Sequence, residues 1–177
     1  LKELGAKPFI IGAMGSHGGG TEEGQLEVLH SLGFNEKTIG CPIRTSSKAI
    51  EVGETRNGFK LYCDEYAWHS DGIIVINRVK LHTAFRGMNE SGLLKMITVG
   101  LGKSKGANQL HRQGPPNMSQ TVQEVGTSFL NTGKVLAGIA IVENSFDDTA
   151  LLEVLKPEDI MLREREMLLK AKEYFPQ

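Results

Sequence analysis

The chain has 177 residues, of which 40% are hydrophobic and 23% charged, a composition typical of a globular domain with a packed core rather than of a disordered chain. The formal net charge of −1 argues against a nucleic-acid partner, because nucleic-acid-binding domains are usually basic overall. No run of residues approaches the roughly 18 consecutive apolar residues of a membrane-spanning helix, so we predict no membrane partner and a cytoplasmic protein.

The first predicted unit is a strand, a glycine loop and a helix. The chain does not begin with Met, and its first residues resemble the last turn of a helix, so we predict a fragment of a longer protein. The apolar run 8–14 predicts a buried strand, and residues 15–20 form a glycine-rich loop around His17. Thr21 is a predicted N-cap, because two glutamates follow it in what would be the first turn of a helix.

The next predicted elements are a hairpin and a second buried strand. Asn57-Gly58 between two extended segments predicts a two-residue hairpin turn. The apolar run 73–76 predicts a buried strand that leads into His82, and in open α/β sheets ligands gather at the carboxyl ends of strands. Cys41 and Cys63 belong to no CxxC motif, so we predict that both are reduced and structural.

Helices and strands alternate in the second half of the chain. Residues 93–101 are apolar enough for a buried helix or a tightly packed turn, and the apolar spacing over 118–129 is helical. Residues 135–142 predict a third buried strand. A charged surface helix is predicted over 157–174, because a proline and two acidic residues suit its first turn. The alternation predicts an α/β fold with a mixed sheet flanked by helices, in a single domain over 1–177.

Positive charge is concentrated in the middle of the chain. Residues 78–112 carry seven Lys or Arg against one acid, a net charge of +6, whereas residues 143–177 carry nine acids and five bases. A cationic segment in a nearly neutral protein favours a small anionic ligand as the partner. A solvated surface loop is the alternative.

Two histidines are candidates for proton transfer. His17 lies in the glycine loop, where an exposed imidazole can exchange a proton near neutral pH. His82 is flanked by Lys80 and Arg86, whose positive charge favours the neutral, proton-accepting ring. For each of them an ordinary surface histidine is the alternative. The glycine loop matches neither GxxxxGK[ST] nor GxGxxG, so neither a nucleoside triphosphate site nor a dinucleotide site is predicted.

Lys95 and His111 are further candidates. Lys95 stands among apolar residues, and burial lowers the pKa of an amine and makes it a nucleophile; a lysine whose ammonium reaches water is the alternative. His111 has the side chain that most often binds transition metals. No HExxH motif, carboxylate triad or thiolate cluster accompanies it. A metal at His111 would therefore take most of its ligands from something other than protein.

Three motifs follow one another along the chain: GSHGGGTEE at 15–23, NRVKLH at 77–82, and GLLK at 92–95 followed by the histidine at 111. In this order they resemble the nickel-dependent lactate racemase family and its lactate-racemase-like relatives of unassigned substrate, over roughly residues 5–150. The resemblance implies an N-terminal domain that works with a C-terminal domain absent from this sequence. It also implies a nickel pincer nucleotide, a pyridinium mononucleotide whose thioamide and thiocarboxylate arms supply sulfur, carbon and sulfur ligands to nickel.

The resemblance implies a role for each candidate. His17 and His82 would be the catalytic histidines, one on each face of the substrate. Lys95 would be joined to the thioacyl group of the cofactor, and His111 would be the protein ligand to nickel. Three basic residues are candidates for holding the cofactor or the substrate carboxylate: Arg86, Lys103 and Arg112.

The implied reaction is racemisation or epimerisation of a 2-hydroxy acid, in which one histidine removes the hydroxyl proton while the α-hydrogen leaves as hydride. The segment between His82 and Lys95 is longer than in the lactate-specific enzymes, so we predict a substrate other than lactate. The isolated fragment is expected to fold without nickel or cofactor and to be inactive. A non-catalytic anion- or cofactor-binding module with an incomplete site is the alternative function. A phosphate-binding hydrolase is favoured least, because no nucleophile stands in a recognisable setting.

Overall fold

The structure is a computed structural model that describes residues 1–174. The α-helices in these residues are α1 Glu22–Ser31, α2 Glu36–Ile39, α3 Glu65–Trp68, α4 Leu93–Lys95, α5 Lys103–His111, α6 Pro115–Leu130 and α7 Ile160–Tyr174. The strands are β1 Ile10–Ile11, β2 Ile43–Arg44, β3 Ala49–Glu54, β4 Lys60–Asp64, β5 Ile73–Arg78, β6 Val135–Glu143 and β7 Thr149–Leu155. Short 3₁₀ turns and one π-helical segment complete the chain: Lys2–Leu4, Gly18–Gly20, Met96–Gly100 and Pro157–Asp159.

The strands form a mixed sheet and two smaller pairs, which makes the chain an α/β domain as predicted. In the three-stranded sheet β6 is central, pairing in parallel with β5 and antiparallel with β7. β1 and β2 form a short parallel pair, and β3 and β4 form the antiparallel hairpin that Asn57-Gly58 predicts. Gly58 turns that hairpin with φ of +84°, a conformation that glycine adopts without strain.

The core centres on α4 and the π-helical segment, which are packed between β6 and α6. Leu93, Leu94 and Ile97 are fully buried there. Glycines let the neighbouring elements approach them: a Cβ on Gly138 of β6 would lie 2.5 Å from Leu93 Cδ1, and one on Gly126 of α6 would lie 2.8 Å from Leu94 Cδ2. This packing fixes the backbone on both sides of Lys95.

The predicted surface helix, α7, is surface-exposed on one side only. Ile160, Met167 and Leu168 are buried on the side that contacts β6, whereas Leu162 and Leu169 on the other side are each 56% exposed. Glu158 and Asp159, in the 3₁₀ turn that leads into the helix, are exposed, as expected. α7 is therefore part of the core and can position residues of the central segment.

The opposite face of the three-stranded sheet is apolar and exposed. Ile76, Ile139 and Val154 lie side by side across β5, β6 and β7, and Ile76 and Val154 are 54% and 69% exposed. Strand β7 was not predicted from the sequence. In the structure Leu151, half-buried, points inward and Leu152, exposed, points outward, but both are apolar, so the sequence shows no regular alternation of apolar and polar residues.

One predicted strand and one predicted helix-or-turn segment differ in extent from the elements in the structure. The predicted strand 8–14 is a strand only over Ile10–Ile11, where it pairs with the two residues of β2. The carbonyl oxygen of the next residue, Gly12, accepts a hydrogen bond from Lys103 Nζ instead of from a strand. The helix-or-turn alternative for 93–101 resolves into one α-helical turn followed by the π-helical segment Met96–Gly100.

The two cysteines, Cys41 and Cys63, are both free and buried, which confirms their structural role. Burial raises the pKa of Cys63 to about 12, so its thiol is unreactive. Within residues 1–174 no helix combines the length and the apolar character that a membrane crossing requires.

Candidate active site

His82 lies on the loop between β5 and α4, and its ring is held on two sides. The imidazole stacks on Phe85 with ring centroids 4.1 Å apart, and its Nδ1 accepts a hydrogen bond of 3.0 Å from Ala84 N. The pKa of His82 is lowered, first by burial and then by the positive charge of Lys95, with Arg86 acting in the same direction. A lowered pKa favours the neutral ring, which is the direction expected from the sequence.

The contact with Ala84 also fixes which nitrogen carries the proton. A ring whose Nδ1 accepts from Ala84 N is, when neutral, protonated on Nε2. In this geometry His82 offers a ligand a hydrogen-bond donor at Nε2. To accept a proton at Nε2, the ring must release Ala84 N–H and move its own proton to Nδ1.

Lys95 ends α4 and is half-buried beside the fully buried Leu93 and Leu94. The pKa of Lys95 is lowered, first by burial and then by the neighbouring charge of Lys80. Both effects increase the fraction of neutral amine near neutral pH. Lys95 thus has the electrostatic setting of a nucleophilic lysine, as the sequence predicts.

His111 and Arg112 lie at the carboxyl end of α5, and both are exposed. His111 is close enough to His82 that its charge contributes to lowering the pKa of His82. The three candidates His82, Lys95 and His111 are therefore brought into one electrostatic neighbourhood. Arg112 N bonds back to Asn108 O, and its side chain stays exposed at the helix end.

His17 is exposed on the glycine loop, which packs against the start of the same helical region. A Cβ on Gly15 would lie 3.0 Å from Val99 Cγ1 and 3.9 Å from Ala107 Cβ, one helical turn before His111. Gly18 is required, because a Cβ there would lie 2.5 Å from the backbone of Gly24. Thr21 caps α1 as predicted, accepting a hydrogen bond of 3.1 Å from Gly24 N.

Lys103 does not have the exposed ammonium that a cofactor- or carboxylate-holding role requires. Its side chain is 1% exposed, and Nζ lies 3.0 Å from Asp64 Oδ2, itself fully buried. Nζ also donates to Gly12 O at 2.7 Å and to Gln25 Oε1 at 3.0 Å. The expectation for Lys103 is corrected: its ammonium joins β4, α1 and the segment between β1 and the glycine loop, and this explains a lysine held at φ of +51°.

Arg86 is exposed, and one nitrogen of its guanidinium, Nη1, is occupied within its own loop. Its Nη1 donates to the carbonyl oxygens of His82 and Phe85 and lies 3.7 Å from Glu90 Oε2. These contacts reduce the donors left for a substrate carboxylate. Arg86 therefore supports the loop of His82 more directly than it offers a free anion-binding group.

Within residues 1–174 no three His, Cys, Asp or Glu side chains come together in a group that could hold a metal ion. Two surface depressions, one along α1 at Gly18 and one beside Phe9 and Arg44, are lined by none of the four residues His17, His82, Lys95 and His111. His82, Lys95 and His111 define the candidate site, because the charges of Lys95 and His111 both act on His82, and the glycine loop of His17 is linked to this region by the packing of Gly15 against Val99 and Ala107.

No family model matches the chain, and no curated protein matches it in sequence. The fold does match a solved structure, the lactate racemase apoprotein from Thermoanaerobacterium thermosaccharolyticum, with a TM-score of 0.72 and 16% sequence identity. The match covers 94% of this chain and 42% of that chain. The chain therefore has a lactate-racemase-like fold and spans less than half the length of that protein.

Sequence reasoning missed three buried carboxylates: Asp64, which pairs with Lys103, and Glu90 and Glu164, each 1% exposed. Glu164 of α7 accepts hydrogen bonds of 3.0 Å from Leu94 N and from Asn89 Nδ2, and burial raises its pKa. The signals were present: Glu90 is the only acid in the basic segment, and Glu164 interrupts the apolar side of α7.

Proposed function

We propose that this chain forms the histidine-bearing part of a racemase or epimerase of 2-hydroxy acids that works with a nickel pincer nucleotide, and that its substrate is not restricted to lactate. The observation that carries the proposal is the setting of Lys95. It is a half-buried amine with a lowered pKa, and it lies in one electrostatic neighbourhood with His82 and His111 on a lactate-racemase-like fold.

The residues of the site fit such a cofactor. A group that brings three nickel ligands of its own needs only one from the protein, and His111 is an exposed imidazole where no cluster of protein ligands was found within residues 1–174. Lys95 would attach the cofactor through its neutral amine. When bound, the cofactor would supply the metal centre and the group that takes up the α-hydrogen of the substrate.

His17 and His82 would move the hydroxyl proton. Gly15, in the loop of His17, packs against Val99 and Ala107, and Lys95 and His111 both influence the pKa of His82, which supports placing the two rings beside a substrate held at this segment. His82 Nε2–H would hydrogen-bond the substrate oxygen, and His82 would become a proton acceptor only after releasing Ala84 N–H. Arg112 is an exposed basic residue beside His111 and can attract the anionic substrate.

The test is to load the longer protein with cofactor and to measure intact mass and nickel content. Lys95→Ala should abolish the covalent adduct, because the attaching amine is gone. His111→Ala should keep the adduct and lose nickel affinity, and Lys37→Ala, an exposed lysine on α2, should change neither. Full adduct mass on the Lys95→Ala protein would refute the assignment.

The substrate class is tested on the loaded wild-type protein with single enantiomers of several 2-hydroxy acids, followed by chiral chromatography. Interconversion of at least one of them supports the proposal. A stoichiometric adduct with no interconversion of any would favour the alternative, a cofactor-binding module without catalytic activity. The unloaded chain should contain no stoichiometric nickel or zinc, because one histidine does not hold a transition metal tightly.

A further inference from the structure

The loop that carries His82 is closed by a buried carboxylate. Glu90 is 1% exposed, and its two carboxylate oxygens point back to the start of the loop. Oε2 accepts a hydrogen bond of 2.8 Å from His82 N, and Oε1 accepts one of 3.2 Å from Gly87 N. One side chain therefore fixes the loop at two points, His82 and Gly87.

Charge compensation for this carboxylate comes from two different elements. Arg86 Nη1, on the same loop, lies 3.7 Å from Oε2, and Lys172 Nζ, on α7, lies 3.9 Å from Oε1. The buried carboxylate therefore has a basic side chain on each of two sides. α7 thus contributes to the loop of His82 although it lies far away in sequence.

Both backbone polar atoms of His82 are held by charged side chains. Its N–H is bound by Glu90, and its carbonyl oxygen is bound by Arg86. The ring is held separately by Ala84 N and Phe85. We propose that Glu90 is the positioning residue of His82, and that it sets the place and direction from which the imidazole meets a ligand. The inference rests on the proposed function only for the role of His82, since the loop geometry stands without it.

Amide hydrogen exchange of the wild-type chain tests the contact without any cofactor. The amides of His82 and Gly87 should exchange at least tenfold more slowly than expected for a surface loop, because each donates to a buried carboxylate. Exchange of the His82 amide at the unprotected rate would overturn the proposal. This measurement needs no variant, so a folding defect cannot obscure it.

Glu90→Gln gives the second readout. The two amides bond to different carboxylate oxygens, and a carboxamide replaces one of these oxygens by an NH₂ donor, so only one amide keeps an acceptor in its present place. Exchange at His82 or Gly87 should then accelerate at least tenfold relative to buried β6 amides. The matched control is Asp64→Asn, a buried carboxylate that accepts a 3.0 Å bond from Ala67 N and pairs with a lysine elsewhere. Asp64→Asn breaks the buried pair with Lys103 and so destabilises the whole fold, but it should leave the exchange rates of the two loop amides unchanged, because loop amides exchange through local opening.

The titration of the His82 ring, followed by NMR, separates positioning from general destabilisation. The groups that face His82 are Lys95 of α4, His111 of α5, and Glu90 and Arg86 of its own loop. Glu90→Gln removes the only one of these that favours the protonated ring, so His82 should titrate at lower pH while His30 on α1 is unaffected. An unchanged His82 titration together with unchanged exchange would refute the proposal. Absence of racemase activity in the loaded protein would count against the proposed function, but it would not change what the exchange and titration data say about Glu90 and His82.

Discussion

Lys103→Met should be among the most damaging single substitutions in this chain. It removes an ammonium that is 1% exposed and leaves the fully buried carboxylate of Asp64 without its cation. Gly12 O and Gln25 Oε1 lose their donor at the same time. Breaking a buried pair in this way costs about 3 to 5 kcal/mol. For a chain of this length, that corresponds to a fall of about 10 °C in the melting temperature.

Urea denaturation followed by circular dichroism measures the loss directly. Lys37→Met, at an exposed position on α2, should stay within about 0.5 kcal/mol of wild type. Lys103→Met combined with Asp64→Leu should recover part of the loss, because no uncompensated charge then remains buried. A loss below about 1 kcal/mol for Lys103→Met alone would show that the ammonium is not enclosed as described, and would restore Lys103 as a candidate for binding an anion.

Three further substitutions test the site and the core. The folded-state pKa of His82 lies below the value of about 6.5 for an unfolded histidine, so the unfolded chain takes up the proton first as the pH falls. The contribution of this ring to stability is thus present above about pH 6.5 and is lost below it. When the pH is lowered from about 7.5 to 5, the free energy of unfolding from urea titrations should fall more for wild type than for His82→Gln. Equal falls would contradict this. Lys95 should be acylated faster than exposed lysines near pH 8, as measured by peptide mass spectrometry. Lys80→Gln should slow the acylation of Lys95, because it removes a charge that lowers the pKa of Lys95. An unchanged rate would argue against proximity of Lys80 and Lys95. Gly126→Ala should cost about 1 to 3 kcal/mol in urea denaturation, because its Cβ would lie 2.8 Å from a leucine methyl group, and an unchanged midpoint would show that the core can move aside.

Local signals predicted those elements whose cause is local. Asn57-Gly58 predicted the hairpin, Thr21 predicted the start of α1, and the apolar spacing over 118–129 predicted α6, because turn geometry, capping and helical periodicity are each written in neighbouring residues. β7 was missed because its inward and outward residues are both apolar, which hides the alternation of a strand.

The candidate site was predictable in its residue types but not in its supporting contacts. The apolar neighbours of Lys95 already indicated a lowered pKa, since burial follows from adjacent sequence. The hydrogen bonds from Lys103 Nζ reach Gln25 and Gly12, which are 78 and 91 positions away in the chain, and no local pattern encodes such a distance. For the same reason Glu90 was counted as a charge but not recognised as a hydrogen-bond acceptor for His82.

The contact between Gly92 and Glu164 restricts how this protein can change over time. A Cβ on Gly92 would lie 2.5 Å from Glu164 Cδ, so the space that a side chain would occupy at position 92 already holds a carboxylate from α7. A larger residue at 92 becomes tolerable only after position 164 has been shortened, and a shorter residue at 164 leaves Leu94 N without its acceptor. Substitutions at positions 92 and 164 are therefore tolerated only together, and either single variant on the way to the double variant is destabilised. A mutational library that varies one position at a time would find both positions intolerant of substitution. That intolerance would reflect the steric fit between Gly92 and Glu164 and not a requirement of catalysis.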